Sequence, residues 1–153
     1  MSELRKIKYF VNNEWKEPIT AAYFESENPA TGLSWALVPD CGPKDIDLAV
    51  EAAKNAFYSG HWGKMMPAER GRYLRKIGEI ISKHAERIGK IETTDNGKLP
   101  RNITASLLKD SWQVDSWHYY SGMCDKFEGR VIPAEAPAIH NNLKWEPVVV
   151  VAQ

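Results

Sequence analysis

The stretch that most constrains this 153-residue chain is its last, where Pro147 leads into the apolar run VVVVAQ from Val148 to Gln153. A short run with no polar face reads as a strand buried on both sides, the kind found in parallel sheets. Such a strand needs a crossover helix and a parallel neighbour, and neither follows before Gln153. The expectation is an α/β chain that reads as truncated, its last strand awaiting a sheet.

The rest of the chain has the punctuation of an ordered fold. In residues 6–16, KIKYFVNNEWK, alternation puts Ile7, Tyr9 and Val11 on one face, and Asn12-Asn13 supplies the positive φ of a tight hairpin. The cluster ENPATG, with Pro29 and Gly32, is a turn, and LSWALV after it a short strand. Pro43 opens an amphipathic helix with Ile46, Ala49, Val50, Ala53 and Phe57 at helical spacing, stopped by Gly60. Beyond Pro67, one stripe holds Tyr73, Leu74, Ile77, Ile80, Ile81, Ala85 and Ile88, read as two helices meeting near Ser82 and His84 and ended by Gly97. A third long helix, rich in Trp and Tyr, is expected over 103–120, with Gly122 as its stop. After Gly129, RVIP and AIHNNLKW are extended segments around a Pro-bounded turn, an arm more than a core.

Twenty basic and twenty acidic side chains cancel, so no large positive field gathers phosphates or an anionic bilayer, and neither nucleic acid nor a membrane is expected as partner. No signal-peptide run and no stretch of eighteen apolar residues occurs. Cys41 and Cys124 make neither a disulfide framework nor a zinc pattern, which fits a reducing cytosol and a cytoplasmic protein. Six Trp and six Tyr are many for this length, and some of that apolar area is expected to cover a neighbour.

Little in the chain has the pattern of a reaction centre. Ser111, Asp115 and His118 share a helix face, but neighbours on one regular helix cannot converge on a carbonyl as a hydrolase triad must. Cys124 has the anionic neighbour Asp125, which opposes a thiolate. Cys41 precedes a helix N-terminus, yet no His is near in sequence to act as base. His61, His84, His118 and His140 lack ligand spacing, and no Gly-rich phosphate loop occurs. Asp95, in ETTDNGK, is more informative: one carboxylate beside the carbonyls of a turn suits a hard cation, or merely satisfies backbone groups at a helix end.

Taken in order, FVNNEWKEP, ENPATG, AAKNAFYSGHW, PAERGRYLRKIGEII, ETTDNGK, HYYSGMCDKFEG, RVIP and WEPVVVVAQ resemble the aldehyde dehydrogenase superfamily along the whole chain. The resemblance implies the N-terminal part of a Rossmann-type cofactor domain over 1–128, a hairpin with flanking helices. An oligomerisation-arm segment over 129–146 and the first strand of the nucleotide-binding sheet over 147–153 would follow. It implies a parent enzyme that oxidises an aldehyde through a cysteine thiohemiacetal, with NAD or NADP as hydride acceptor. The family's nucleophilic Cys, base Glu, oxyanion Asn and cofactor turn would lie beyond Gln153. No catalytic or cofactor-binding residue is therefore expected, nor dehydrogenase activity or NAD(P) binding by this chain alone. By motif position, Asp95 with the backbone at Ser26 and Glu27 looks like the family's structural monovalent cation site, and Trp112, Asp115 and Tyr119 look like substrate-channel residues. A homo-oligomer, or pairing with a full-length relative as a non-catalytic interaction module, would act through the arm. Two departures stand out: Val149, where relatives commonly have Gly in EPVGVV, and LSWALV in place of a Glu-Val-Ile type strand.

Overall fold

The computed structural model describes residues 4–108, 111–148 and 150–151. Strand β1 (Arg5–Lys6) leads to the hairpin of β2 (Tyr9–Val11) and β3 (Glu14–Lys16), which turns at Asn12 (φ 50°) and Asn13 (φ 63°). Both turn residues thus take the left-handed conformation that a two-residue hairpin requires and that Asn tolerates. Phe10 pairs with Trp15 across the hairpin, rings 4.9 Å apart, while Val11 is buried.

Strands β4 (Tyr23–Asn28) and β5 (Leu33–Pro39) are joined by the expected turn, where the Thr31 and Gly32 amides donate to the Asn28 carbonyl at 3.1 and 2.8 Å. The sheet order is β1-β5-β4, with β1 parallel and β4 antiparallel to β5, and the central Ala36 is fully buried. Between Ser26 and Glu27 the register skips one residue of β5: Ser26 faces Ala36 and Glu27 faces Ser34. Trp35 is the bulged residue.

Among the described residues five α-helices follow: α1 (Pro43–Ser59), α2 (Pro67–Lys83), α3 (Ala85–Asn96), α4 (Pro100–Leu107) and α5 (Trp112–Met123). Four begin as their sequences dictate, α1, α2 and α4 with Pro in the first turn and α5 on a Ser cap. A Cβ on Gly71 would lie 2.7 Å from the Ser121 carbonyl oxygen, so α2 and α5 approach to backbone contact there. On the other side of α5's start, α3 and α4 enclose Ala85, Ile103 and Leu107, backed by Ile81 and Ile88.

The single helix expected over 103–120 is two. Leu108 is extended, and Ser111 begins α5 as its N-cap, its hydroxyl donating to the Ser106 carbonyl at 2.6 Å and accepting from the Val114 amide at 3.5 Å. The break lets Ile103 and Leu107 face α3 while Val114 is buried on α5. One straight helix cannot serve both directions. Gly122 is not the stop either, since α5 runs through it to Met123.

The apolar stripes on α1 and α2 exist as read but are only partly covered. Ile46, Val50, Tyr73, Ile77 and Ile80 are exposed, and the fully buried side chain of α1 is the charged Asp45. Beyond Gly129, β6 (Arg130–Ile132) and β7 (Asn141–Leu143) form an antiparallel hairpin in which all six residues are exposed. Among the described residues Pro147, Val148, Val150 and Val151 have no strand partner, and Val148 is 87% exposed. Val149, Ala152 and Gln153, part of the strand read over 147–153, lie outside the described residues. No helix among the described residues is long and apolar enough to cross a membrane.

Candidate functional site

Ser26 and Asp95, 69 positions apart, are brought into contact where β4 meets the C-terminal end of α3. Local sequence sets both sides. Gly97, with φ 73°, ends α3 in a left-handed cap, and a Cβ there would stand 2.9 Å from the Pro29 ring, so the 28–32 turn lies directly against the cap. The Ser26 hydroxyl donates to Asp95 Oδ1 at 2.7 Å and accepts from the Trp35 indole N–H at 3.2 Å. Glu27 follows at the point where the bulge interrupts the ladder, and such interruptions leave backbone groups outside regular pairing. The oxygens shown to meet here are the Asp95 carboxylate and the Ser26 hydroxyl. That chemistry suits a hard cation and not a thiophilic metal. Among the described residues no three His, Cys, Asp or Glu side chains gather as a metal-ligating group.

Trp112, Asp115 and Tyr119 share the outer face of α5, with Trp112 71% and Tyr119 64% exposed. They form an open wall of two aromatic surfaces flanking a carboxylate. Ser111, Asp115 and His118 make no triad. Ser111 is committed to capping, Asp115 is exposed, and His118 Nε2 is buried without a hydrogen-bond partner. Neither thiol is set up for attack. Burial, then Asp45 and Asp40, pushes the Cys41 thiol up, and Cys124 Sγ donates to the Tyr120 carbonyl at 3.3 Å.

Sequence reasoning missed Asp45. Only 2% exposed, its carboxylate accepts from the Tyr9 hydroxyl at 2.8 Å, the Ile19 amide at 3.1 Å and the Gly42 amide at 3.0 Å. Burial alone would raise the Asp45 carboxyl, but the three donated hydrogen bonds outweigh it and hold the group below its ordinary value. The same bond, with burial and the charges of Asp45 and Cys41, pushes Tyr9 up to about 12. The available signal was spacing, an Asp three residues after Gly42, which suits a carboxylate that reaches back to accept from the amide at a helix start. Asp45 also bears on cofactor binding. In a dinucleotide turn the helix following a strand offers its N-terminus to a pyrophosphate, whereas the start of α1 after β5 is filled by this carboxylate. A dinucleotide does not fit there.

Residues 15–153 match the profile of the aldehyde dehydrogenase family. The chain belongs to that family. It is 35% identical over 149 residues to the (Z)-2-((N-methylformamido)methylene)-5-hydroxybutyrolactone dehydrogenase of Acinetobacter baylyi, covering 97% of this chain and 30% of that protein. Human mitochondrial aldehyde dehydrogenase is 32% identical over 145 residues, covering 94% and 28%. Among solved structures, an aldehyde dehydrogenase from Bacillus cereus in complex with NAD+ superposes with a TM-score of 0.79 at 35% identity, over 90% of this chain and 28% of that one. The chain thus spans under a third of the aldehyde dehydrogenases it matches. Its fold is the N-terminal part of the α/β aldehyde dehydrogenase architecture.

Proposed function

We propose that this chain supplies scaffold and not chemistry to an NAD(P)-dependent aldehyde dehydrogenase. Residues 1–128 are the outer part of the cofactor domain, 129–146 the start of the oligomerisation arm, and 147–153 the first strand of the nucleotide-binding sheet. The complete enzyme converts an aldehyde, water and NAD or NADP to a carboxylic acid, the reduced cofactor and a proton. The observation that carries this reading is the open apolar surface of α1 and α2, with Ile46, Val50, Tyr73, Ile77 and Ile80 facing outward. Such a surface fits a chain that packs against further protein. Within that scaffold Asp95 and the backbone at Ser26 and Glu27 hold a monovalent cation, and Trp112, Asp115 and Tyr119 wall the aldehyde channel. The 153-residue chain alone has no dehydrogenase turnover. An assay of the purified chain with NAD+ or NADP+ and a panel of aldehydes should give no rise in absorbance at the reduced-cofactor wavelength. Reduced-cofactor formation by the purified chain that is lost when Cys41 and Cys124 are replaced by Ser would overturn the reading.

The exposed hairpin of β6 and β7 supports a second role, a non-catalytic module that pairs with a full-length relative. Its open edges, with Val131, Ile139 and Leu143 exposed, suit addition of a strand from another chain. Co-expression with a tagged full-length aldehyde dehydrogenase, followed by capture, should retain the chain. Equal retention after deletion of residues 129–146 would exclude the arm as the contact.

A further inference from the structure

We infer that Trp35 is a positioning residue for the cation site at Asp95, acting through the Ser26 hydroxyl. This rests on the cation reading proposed above and adds to it a side chain with no place in a backbone-and-carboxylate site. In a regular antiparallel ladder Ala36, which pairs with Ser26, shares its face, while Trp35 points the other way. The bulge changes that. With one residue of β5 skipped between the Ser26 and Glu27 pairings, the local twist re-aims Trp35, as bulges do for side chains near functional positions. Its indole N–H then reaches Ser26 Oγ at 3.2 Å.

A serine hydroxyl has one proton and two acceptor positions, and an indole nitrogen has one proton and no acceptor. The indole proton occupies one Ser26 lone pair, and the Ser26 proton goes to Asp95 Oδ1 at 2.7 Å. The rotor is thereby fixed, the carboxylate is held toward the bulge, and one hydroxyl lone pair remains for a cation. Without the indole, the hydroxyl is free to turn its proton to another acceptor, and Asp95, exposed at the end of α3, loses the group that orients it. Trp35 itself is half-buried and lines a cleft of about 330 Å³ together with Ile7, Val38, Ile88, Ile91, Glu92 and Asp95.

The test titrates the 153-residue chain with NaCl or KCl, against choline chloride at matched ionic strength. Thermal unfolding and the Trp35 indole resonance in 1H–15N spectra, assigned by its loss in Trp35→Phe, are the readouts. The parent chain should gain thermal stability and shift that resonance, and Asp95→Asn should abolish the gain. Trp35→Phe and Ser26→Ala should each weaken the apparent affinity by up to about tenfold, the upper end for losing one hydrogen bond between neutral groups. The double variant should be no weaker than either single one, and Ser26→Thr should retain binding. Should Trp35→Phe fail to fold, Ser26→Ala against Ser26→Thr makes the same test. If the parent and Asp95→Asn respond alike to the small cations, the cation reading fails and this inference with it. If Asp95→Asn alone loses the response while Trp35→Phe and Ser26→Ala bind like the parent, the cation site stands and the role of Trp35 is refuted.

Discussion

Residues 5–45 and 129–146 are both built from short strands, yet only the first region withdraws side chains from water. In the front region Val11 and Ala36 are buried, and Asp45 ties the β2–β3 hairpin, the loop at Ile19 and the start of α1 together. Every residue of the arm is exposed. Among the described residues it is joined to the preceding segment by a bond from the Trp145 indole to the Glu128 carbonyl at 3.1 Å and the ring contact of Trp145 with Phe127 at 6.2 Å. A two-stranded hairpin alone is marginal in water. The front hairpin is fixed by a buried acceptor within its own chain, whereas the apolar side chains of the arm are left uncovered among the described residues.

The contrast breaks first at Asp45. Replacing it with Ala leaves the Tyr9 hydroxyl and two amides without their acceptor, and should lower the urea midpoint more than Ile103→Ala, Ser111→Ala or Val131→Ala does. Ile103→Ala, which opens a cavity between α3 and α4, should cost about 3 kcal/mol, read from the same unfolding curves. Ser111→Ala removes the cap that separates α4 from α5 and should cost about 1 kcal/mol. Val131→Ala in the arm should stay within about 0.5 kcal/mol. A cost for Val131→Ala matching that of Ile103→Ala would mean the arm is packed in solution.

Titration sharpens the same comparison. The Asp45 carboxyl lies below its ordinary value when folded. Its contribution is therefore full above the unfolded value of about 3.9 and is lost as pH falls through the folded value. Tyr9 runs the other way. Raised to about 12, it stabilises fully below the unfolded value of about 10, a gain lost as pH rises through the folded value. Stability against pH should flatten on the acid limb in Asp45→Asn and on the alkaline limb in Tyr9→Phe. Arm substitutions should leave both limbs unchanged.

The sequence by itself determined the elements whose causes are local. Asn12 and Asn13 specify the hairpin turn, Gly32 and Gly97 the left-handed positions, and Pro43 and Pro67 the starts of α1 and α2, because backbone sterics act within a few residues. The Ser26 and Asp95 pair was legible through motif resemblance alone, since no spacing rule spans 69 positions. Only the tertiary structure decided the rest. The break at Leu108 depends on which helices α4 and α5 face, and the value of Asp45 depends on donors from two other segments. The turning of Trp35 toward Ser26 depends on a strand register set by the pairing partner. In each case the energy comes from groups distant in the chain, and a pattern read along the chain does not contain their separation in space.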